Sequence, residues 1–154
     1  MAAEPAVVVL ARAALPTARR LALIIGGELH APPSIAEADT PVDDVAAHLR
    51  QLFTAGRPIV GVCAAGILVR ALAPVLDDKR TEPPVLAVAA DGASVVPLLG
   101  GHRGANALAA RLATALGGHA AVTTLSEATA GLSLDAPPPG WSLTADSEVK
   151  PLLA

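Results

Sequence analysis

Short apolar runs that alternate with helical segments constrain the fold of this chain more than any other feature. "AVVVL" (6–10) and "RPIVGVCA" (57–64) are continuous and rich in β-branched residues, which is typical of strands buried on both faces of a sheet. Between them, "VDDVAAHLRQLFTAG" (42–56) repeats its apolar residues at helical spacing. Because strands joined through helices run parallel, the alternation predicts a mostly parallel sheet.

The remaining segments complete a predicted order of βαβαβαββαβ. Asp91-Gly92 lies between two β-rich runs and predicts one antiparallel hairpin. Pro74 is expected to kink or end the helix that starts near Gly66. Further helices are predicted at 15–27 and 105–116, strands at 27–32 and 119–124, and an exposed loop at 32–41. The predicted fold class is α/β: a three-layer, mostly parallel open sheet with helices on both faces and one antiparallel hairpin.

Composition excludes several classes of protein. With 53% hydrophobic and 16% charged residues among 154, the chain is expected to be globular rather than disordered. A net charge of −3 and only Phe53 and Trp141 as aromatic residues speak against nucleic acid as a partner. The longest apolar stretch (58–69) is shorter than the roughly 20 residues that cross a bilayer, and the N-terminus has no export signal. We therefore expect a cytoplasmic protein with no membrane partner.

The sequence pattern changes near residue 126. Residues 1–125 fit one α/β domain, whereas 126–154 lose the alternation and include a run of prolines from Pro137 to Pro139. We expect the second stretch to be a linker or the truncated start of a following domain.

A glycine-rich loop joins the predicted hairpin to the helix at 105–116. In this histidine loop, "GGHRGAN" (100–106), the glycines Gly100, Gly101 and Gly104 can expose backbone amides at a helix N-terminus. Such amides, together with the helix dipole, attract an anion. The alternative is that the glycines only serve a tight turn.

Polar side chains of the histidine loop add to its chemistry. His102 can take or give a proton near neutral pH, and Arg103 can grip a carboxylate in bidentate fashion. Asn106 can cap the turn or bond a ligand. The alternative for His102 is a surface residue with its hydrogen bonds satisfied.

A second junction of the same kind follows the strand at 57–64. Gly66 and its small neighbours allow a ligand close to the backbone, and Arg70 lies one turn into the next helix. The alternative for Arg70 is a surface ion pair with Asp77. Cys63 is interpreted as a buried, unreactive packing residue, because no acid or histidine is adjacent in sequence. Since both junctions follow strands and precede helices, we expect them to share one cleft at one edge of the sheet. The alternative is that the antiparallel strand of the Asp91-Gly92 hairpin sends the second junction to the opposite edge.

No metal or cofactor is expected from the sequence. His30, His48 and His119 are scattered and form no metal-ligand spacing. Neither a Walker lysine motif nor a dinucleotide-binding glycine fingerprint is present.

Residues 61–124 resemble the N-terminal domain of the CbiG family of cobalamin-biosynthesis proteins. The similarity begins with a small-residue turn, "GILVRALAP" (66–74) and the Asp-Lys that ends that helix. It continues through the hairpin, the histidine loop with its Ala-Asn pair, and the Thr-Thr end of a strand. The strand and helix pattern of residues 6–56 fits the same domain.

The resemblance implies a role on ring-contracted corrin precursors. Full-length members of the family act as cobalt-precorrin-5A hydrolases, which open a lactone and release its two-carbon unit as acetaldehyde while holding a macrocycle crowded with carboxylates. Carried over to this sequence, His102 is the expected general base or acid. The implied substrate-binding residues are Gly66, Arg70, Gly100, Gly101, Arg103, Gly104 and Asn106.

The resemblance also implies partners. The histidine loop is shorter than is usual in the family, as expected of CbiG-like segments joined to a precorrin-3B C17-methyltransferase, and the family's C-terminal part is absent after Ala154. The expected partners are a corrinoid or other tetrapyrrole precursor, and such a methyltransferase or the missing C-terminal domain. The alternative to a hydrolase is a non-catalytic corrinoid-binding or channelling module that serves the methyltransferase.

Overall fold

A computed structural model of the chain describes residues 3–124. The chain divides into two units, Met1–Val122 and Thr123–Ala154. Every element named below belongs to the first unit. The predicted linker at 126–154 lies outside the described residues, so its character stays a prediction.

Seven strands form one sheet in the order β3-β2-β1-β4-β5-β6-β7. All neighbouring strands are parallel except β5 and β6, which are antiparallel as the Asp91-Gly92 turn predicts. The strands are β1 (Ala6–Val9), β2 (Glu28–Ala31), β3 (Thr40–Pro41), β4 (Ile59–Val62), β5 (Val85–Val88), β6 (Ser94–Leu99) and β7 (His119–Ala120).

Four α-helices cover the two faces of the sheet and confirm the three-layer prediction. They are α1 (Leu15–Ile25), α2 (Val45–Thr54), α3 (Ala65–Leu72) and α4 (Ala105–Leu116). Helices α1 and α4 pack on one face, and α2 and α3 pack on the other. The side chains of β1 alternate between the two cores, with Val7 facing α1 and Val8 facing α2. This period-two alternation is why the strand is apolar at every position.

Two segments differ from the sequence-based predictions. The stretch 32–41, expected to be an exposed loop, contains Thr40 and Pro41 of β3 and buries Ile35. A two-residue edge strand is too short to show a periodic pattern of apolar residues, so the sequence does not predict it. The strand predicted at 119–124 is ordered as a strand only at His119 and Ala120.

The end of α3 follows from its proline. The α-helix stops at Leu72 and continues as one 3₁₀ turn over Ala73–Val75. Pro74 lacks the backbone N–H that another α-helical turn needs, so the prediction of an early end is confirmed.

The hairpin between β5 and β6 reverses the chain direction. Gly92 takes a φ of +77°, and the Asp91 carboxylate accepts a hydrogen bond from the Ala93 amide at 3.0 Å. We call the side of the sheet where β1, β2, β4 and β5 end the carboxyl edge, and the side where they begin the amino edge. Because β6 is antiparallel to β5, it ends at the amino edge.

Candidate functional site

The two glycine-containing junctions lie at opposite edges of the sheet. Gly66 follows β4 and therefore lies at the carboxyl edge. Leu99, the last residue of β6, pairs with Val85, the first residue of β5, and Val85 pairs with Ile59, the first of β4. The histidine loop that follows Leu99 is thus at the amino edge. The expectation of one shared cleft is wrong, because a single antiparallel strand carries the second junction across the sheet.

A groove opens at the carboxyl edge, where the chain leaves β1 and β4 toward opposite faces. Strands β1 and β4 are neighbours, yet β1 leads into α1 on one face and β4 leads into α3 on the other. Such a switch point leaves a crevice where open α/β sheets commonly bind ligands. The groove has a volume of about 380 Å³ and is lined by Leu10, Val45, Ala46, Arg50, Ile67, Arg70 and Ala71.

Gly66 and Arg70 act together at this groove. The Arg70 Nη1 donates a hydrogen bond to the Gly66 carbonyl at 3.1 Å, so the side chain folds back along α3. A Cβ built on Gly66 would lie 2.8 Å from that Nη1. The absence of a side chain at Gly66 therefore makes room for the Arg70 guanidinium. The alternative pairing of Arg70 with Asp77 is not among the ion pairs of residues 3–124.

Arg50 is a second cation of the groove that the sequence analysis missed. It is half-buried on α2, and its Nη1 donates to the Ala71 carbonyl of α3 at 3.2 Å. No local signal distinguishes Arg50 from a solvent-facing arginine of an amphipathic helix. Its position depends on how α2 packs against α3, which the spacing of apolar residues does not specify.

The backbone of the histidine loop accounts for its glycines. Gly100 and Gly104 have φ values of +76° and +90°, a left-handed conformation that residues with side chains rarely adopt. The Gly100 carbonyl accepts the amides of Arg103 at 2.9 Å and Ala105 at 3.1 Å. These amides are bonded within the loop instead of being directed at a ligand. A role for Gly100, Gly101 and Gly104 in binding stays a prediction.

His102 lies beside the loop that follows α3. It is half-buried, and its ring contributes, after the hydrogen bonds and charge of Arg80, to lowering the pKa of Asp78. The Asp78 carboxylate accepts the Arg80 amide at 3.0 Å and the Arg80 Nε at 3.3 Å. Arg103 is exposed and Asn106 half-buried in the same region. The structure therefore groups acidic and basic side chains at the amino edge, separate from the groove.

Two histidines that the sequence presents as scattered are in contact. His48 Nε2 lies 3.0 Å from His30 Nδ1, with ring centroids 5.0 Å apart. His30 is 1% exposed on β2, and His48 is half-buried on α2. They are 18 positions apart in the chain, and nothing in the sequence between them signals this contact. The expectation that the histidines are scattered is wrong for this pair, because the crossover from β2 to α2 places His48 of the helix against His30 of the strand.

The surroundings of the pair assign its tautomers. His30 Nε2 has no hydrogen-bond partner by standard geometry among the described residues and lies 3.5 Å from the Glu28 carboxylate. We assign the proton of the shared bond to His48 Nε2, since His30 Nε2 then carries a hydrogen that faces Glu28. The reverse assignment would place a lone pair against a carboxylate. The pKa of His30 is lowered, chiefly by burial and then by the charges of His48 and Arg57. The carboxylates of Glu28 and Asp39 raise this pKa by less.

Cys63 immediately follows β4. It is half-buried, and burial raises the pKa of its thiol to about 11. A thiol with such a pKa contains very little reactive thiolate at neutral pH. Cys63 is thus less buried than predicted, because it lies just beyond the end of the strand. Its low reactivity, and the slow labelling expected from it, stay a prediction.

Residues 3–124 contain no group of three or more histidine, cysteine, aspartate or glutamate side chains placed to hold a metal ion. Within the same range, no helix combines the length and apolar character needed to span a membrane.

A doubly wound α/β domain with an arginine-lined groove at its switch point is the class that this fold and site define. The family model described as "Cobalamin synthesis G N-terminal" matches residues 47–127, just over half of the chain. The chain belongs to this family. The match includes α2 from residue 47 onward, α3 and the histidine loop, so Arg50, Arg70 and His102 lie within it.

Proteins similar to this chain include two curated proteins and a solved structure. The cobalt-precorrin-5A hydrolase of Salmonella typhimurium is 40% identical over 87 residues, covering 56% of this chain and 25% of that protein. The cobalt-precorrin-5A hydrolase of Priestia megaterium is 35% identical over 88 residues, covering 56% of this chain and 24% of that protein. The matched segment thus spans about a quarter of each relative.

The solved structure is that of a cobalamin biosynthesis protein G homolog from Sulfolobus solfataricus. It superposes with a TM-score of 0.60 at 19% identity, covering 78% of this chain and 36% of that chain. At this identity the likeness shows a common fold. The chain is thus a CbiG-like protein of cobalamin biosynthesis that carries the family's N-terminal domain.

Proposed function

We propose that this chain is the substrate-binding part of a cobalt-precorrin-5A hydrolase and acts on a ring-contracted tetrapyrrole lactone. The observation that carries the proposal is the match of residues 47–127 to the family, together with hydrolases as the similar curated proteins. The arginine-lined groove at the switch point supports it, because a precursor rich in acetate and propionate groups needs cations for its carboxylates.

The proposed reaction adds water to the lactone. The acyl C–O bond breaks to give a carboxylate and an alcohol. The alcohol then loses its proton as the C–C bond to the two-carbon unit breaks, the electron pair of that bond stays on the macrocycle, and acetaldehyde leaves. His102 is the proposed general base that takes the proton of the attacking water, or the acid that protonates the leaving oxygen. His102 and the groove lie at opposite edges of the sheet. We therefore propose that the groove first captures the macrocycle, and that the remainder of a full-length hydrolase then holds the lactone at His102 to complete the catalytic site.

Acetaldehyde release from cobalt-precorrin-5A tests the proposal. We expect the 154-residue chain alone to bind the substrate and release no acetaldehyde above background. A chimera in which residues 47–127 replace the matched segment of the Priestia megaterium hydrolase is expected to release acetaldehyde. His102→Ala in that chimera is expected to slow release by about 10²–10⁴-fold, the usual contribution of a general base.

Controls separate catalysis from folding. The matched control is the same chimera with Arg111→Gln, which changes an exposed residue of α4. We expect this control to release acetaldehyde at an unchanged rate. A chimera that is folded and binds substrate yet releases no acetaldehyde would contradict the hydrolase proposal. If the isolated chain released acetaldehyde and its His102→Ala variant did not, the proposal that the remainder of the hydrolase completes the catalytic site would be contradicted.

The separation of the two edges also favours a second candidate function. A domain whose cationic groove and histidine loop face apart is suited to hold a corrinoid without acting on it, as a binding or channelling module for a precorrin methyltransferase. This candidate predicts that addition of the chain lowers the KM of the methyltransferase and leaves acetaldehyde release at background. An unchanged KM would exclude it.

A further inference from the structure

We propose that the carboxylates of the macrocycle bind in the groove at the carboxyl edge, held by Arg50 of α2 and Arg70 of α3. This inference rests on the proposed function and specifies its binding site. It assigns a role to Arg50 and separates the binding of substrate carboxylates from the histidine loop.

The charges of the groove are uncompensated within the domain. Arg50 and Arg70 each donate to a backbone carbonyl, that of Ala71 at 3.2 Å and that of Gly66 at 3.1 Å. Neither has a carboxylate partner among residues 3–124, where the ion pairs involve other cations. Arg50 is half-buried and Arg70 is exposed. A guanidinium without a counter-ion, above all a half-buried one, favours an anionic ligand, which it can bind through its remaining N–H groups.

Two other charged groups that neighbour groove residues in the chain, Arg12 and Asp44, are already engaged. Arg12, which follows β1, donates to the Glu37 carboxylate at 2.7 Å and the Ser34 carbonyl at 3.0 Å. Asp44 precedes the groove residue Val45, but its carboxylate caps α2 by accepting the Ala47 amide at 2.9 Å. The groove therefore presents two available cations and no competing carboxylate among its lining residues.

The rest of the lining is apolar, which suits the body of a macrocycle. Leu10, Val45, Ala46, Ile67 and Ala71 form the floor and walls between the arginines. A volume of about 380 Å³ is at the small end of ligand pockets. It fits one edge of a tetrapyrrole with its side chains, so most of the macrocycle is expected to project outward.

Arg50 and Arg70 come from different helices, which gives the site its selectivity. Their guanidinium groups are held by carbonyls of α3 itself, so packing between α2 and α3 sets the spacing between them. Two cations at a set spacing recognise a pair of carboxylates on the ligand. A ligand with a neutral amide in place of either carboxylate loses the charge-assisted hydrogen bond at that position.

The test is the binding of cobyrinic acid, a ring-contracted corrinoid whose side chains end in carboxylates, followed by calorimetry. Cobinamide, in which those carboxylates are amides, is the matched ligand. The wild-type chain is expected to bind cobyrinic acid at least about tenfold more tightly than cobinamide. Arg50→Gln and Arg70→Gln are each expected to weaken cobyrinic acid binding by about tenfold or more and to reduce the preference for it.

Variants at other positions decide between the outcomes. Arg111→Gln removes an equal charge from the exposed face of α4 and is expected to bind like the wild type. Thermal unfolding of each variant shows that the fold persists. Loss of binding in Arg103→Gln, with Arg50→Gln and Arg70→Gln unchanged, would place the carboxylates at the histidine loop and overturn this inference while leaving the proposed function standing. A wild-type chain that binds neither corrinoid would contradict the proposed function itself.

Discussion

At the scale of single residues, Gly66 has a role that its sequence context only outlined. The sequence indicated close approach of a ligand to the backbone, whereas the structure fills the space above Gly66 with the Arg70 guanidinium. Sequence spacing placed both residues at one junction correctly. It did not reveal their contact, because a rotamer of Arg70 decides where the guanidinium lies.

Gly66→Ala therefore separates stability from binding. The new methyl meets only the flexible end of Arg70, and alanine favours a helix by about 0.5–1 kcal/mol over glycine. We expect thermal stability to be kept or slightly raised, while cobyrinic acid binding weakens several-fold because Arg70 is displaced. Circular dichroism melting and calorimetry on the same protein measure both effects. Unchanged binding would show that the position of Arg70 does not matter.

Gly100 and Gly101 form a matched pair in the histidine loop. Gly100 combines a φ of +76° with a Cβ position only 2.5 Å from the Pro83 carbonyl oxygen, whereas a Cβ on Gly101 meets nothing within 4 Å. We expect Gly100→Ala to lower the free energy of unfolding by about 2 kcal/mol or more, from backbone strain and the clash together. Gly101→Ala is expected to change it by less than about 0.5 kcal/mol. Urea unfolding of the two variants tests the difference, and equal effects would contradict it.

At the scale of elements, the histidine pair joins α2 to β2. The pKa of His30 is lowered, chiefly by burial, and that of His48 is lowered as well. The unfolded chain therefore binds protons at a higher pH than the folded chain does. The groups that face His30 are His48 of α2, Arg57 before β4, Glu28 of β2 and Asp39 before β3.

The free energy of unfolding is expected to fall as the pH drops below about 6.5, the value for an unperturbed histidine. The loss should stop once the pH passes below the lowered pKa values of the folded pair. His48→Gln keeps a hydrogen-bonding side chain without the titration, and it is expected to flatten this part of the curve. Urea unfolding between about pH 5 and 8 provides the test. A stability that rises on acidification would contradict the assignment of a neutral pair.

Elements were predicted better than their contacts. The strands of the core were evident because they are buried on both faces and so apolar throughout, and the end of α3 followed from Pro74. The short strand β3 and the pairing of His30 with His48 were not, because both depend on contacts between segments distant in sequence. The hairpin was predicted correctly, and the structure shows the alternative in which it carries the histidine loop to the opposite edge.

At the scale of the whole molecule, one antiparallel strand divides the predicted site into two. The residues carried over from the family resemblance fall into a carboxyl-edge group, Gly66 and Arg70, and an amino-edge group around His102. The sequence predicts that β6 runs antiparallel to β5, and this direction decides at which edge the histidine loop lies. Topology therefore determines which of them can meet one ligand, and the groove at the switch point is where this account places the substrate.

Chemical-shift mapping of the ¹⁵N-labelled chain with cobyrinic acid in a diamagnetic cobalt(III) form tests that placement most directly. We predict that the largest shifts fall on the amides of Leu10, Arg50, Ile67 and Arg70, which line the groove, and on that of Gly66, whose carbonyl accepts from Arg70. The Arg50 and Arg70 side-chain Nε–H groups are expected to shift as well. The amides of residues 100–106 are predicted to stay near their free positions. Shifts centred on residues 100–106, with those of the groove unchanged, would show that the macrocycle binds at the histidine loop instead.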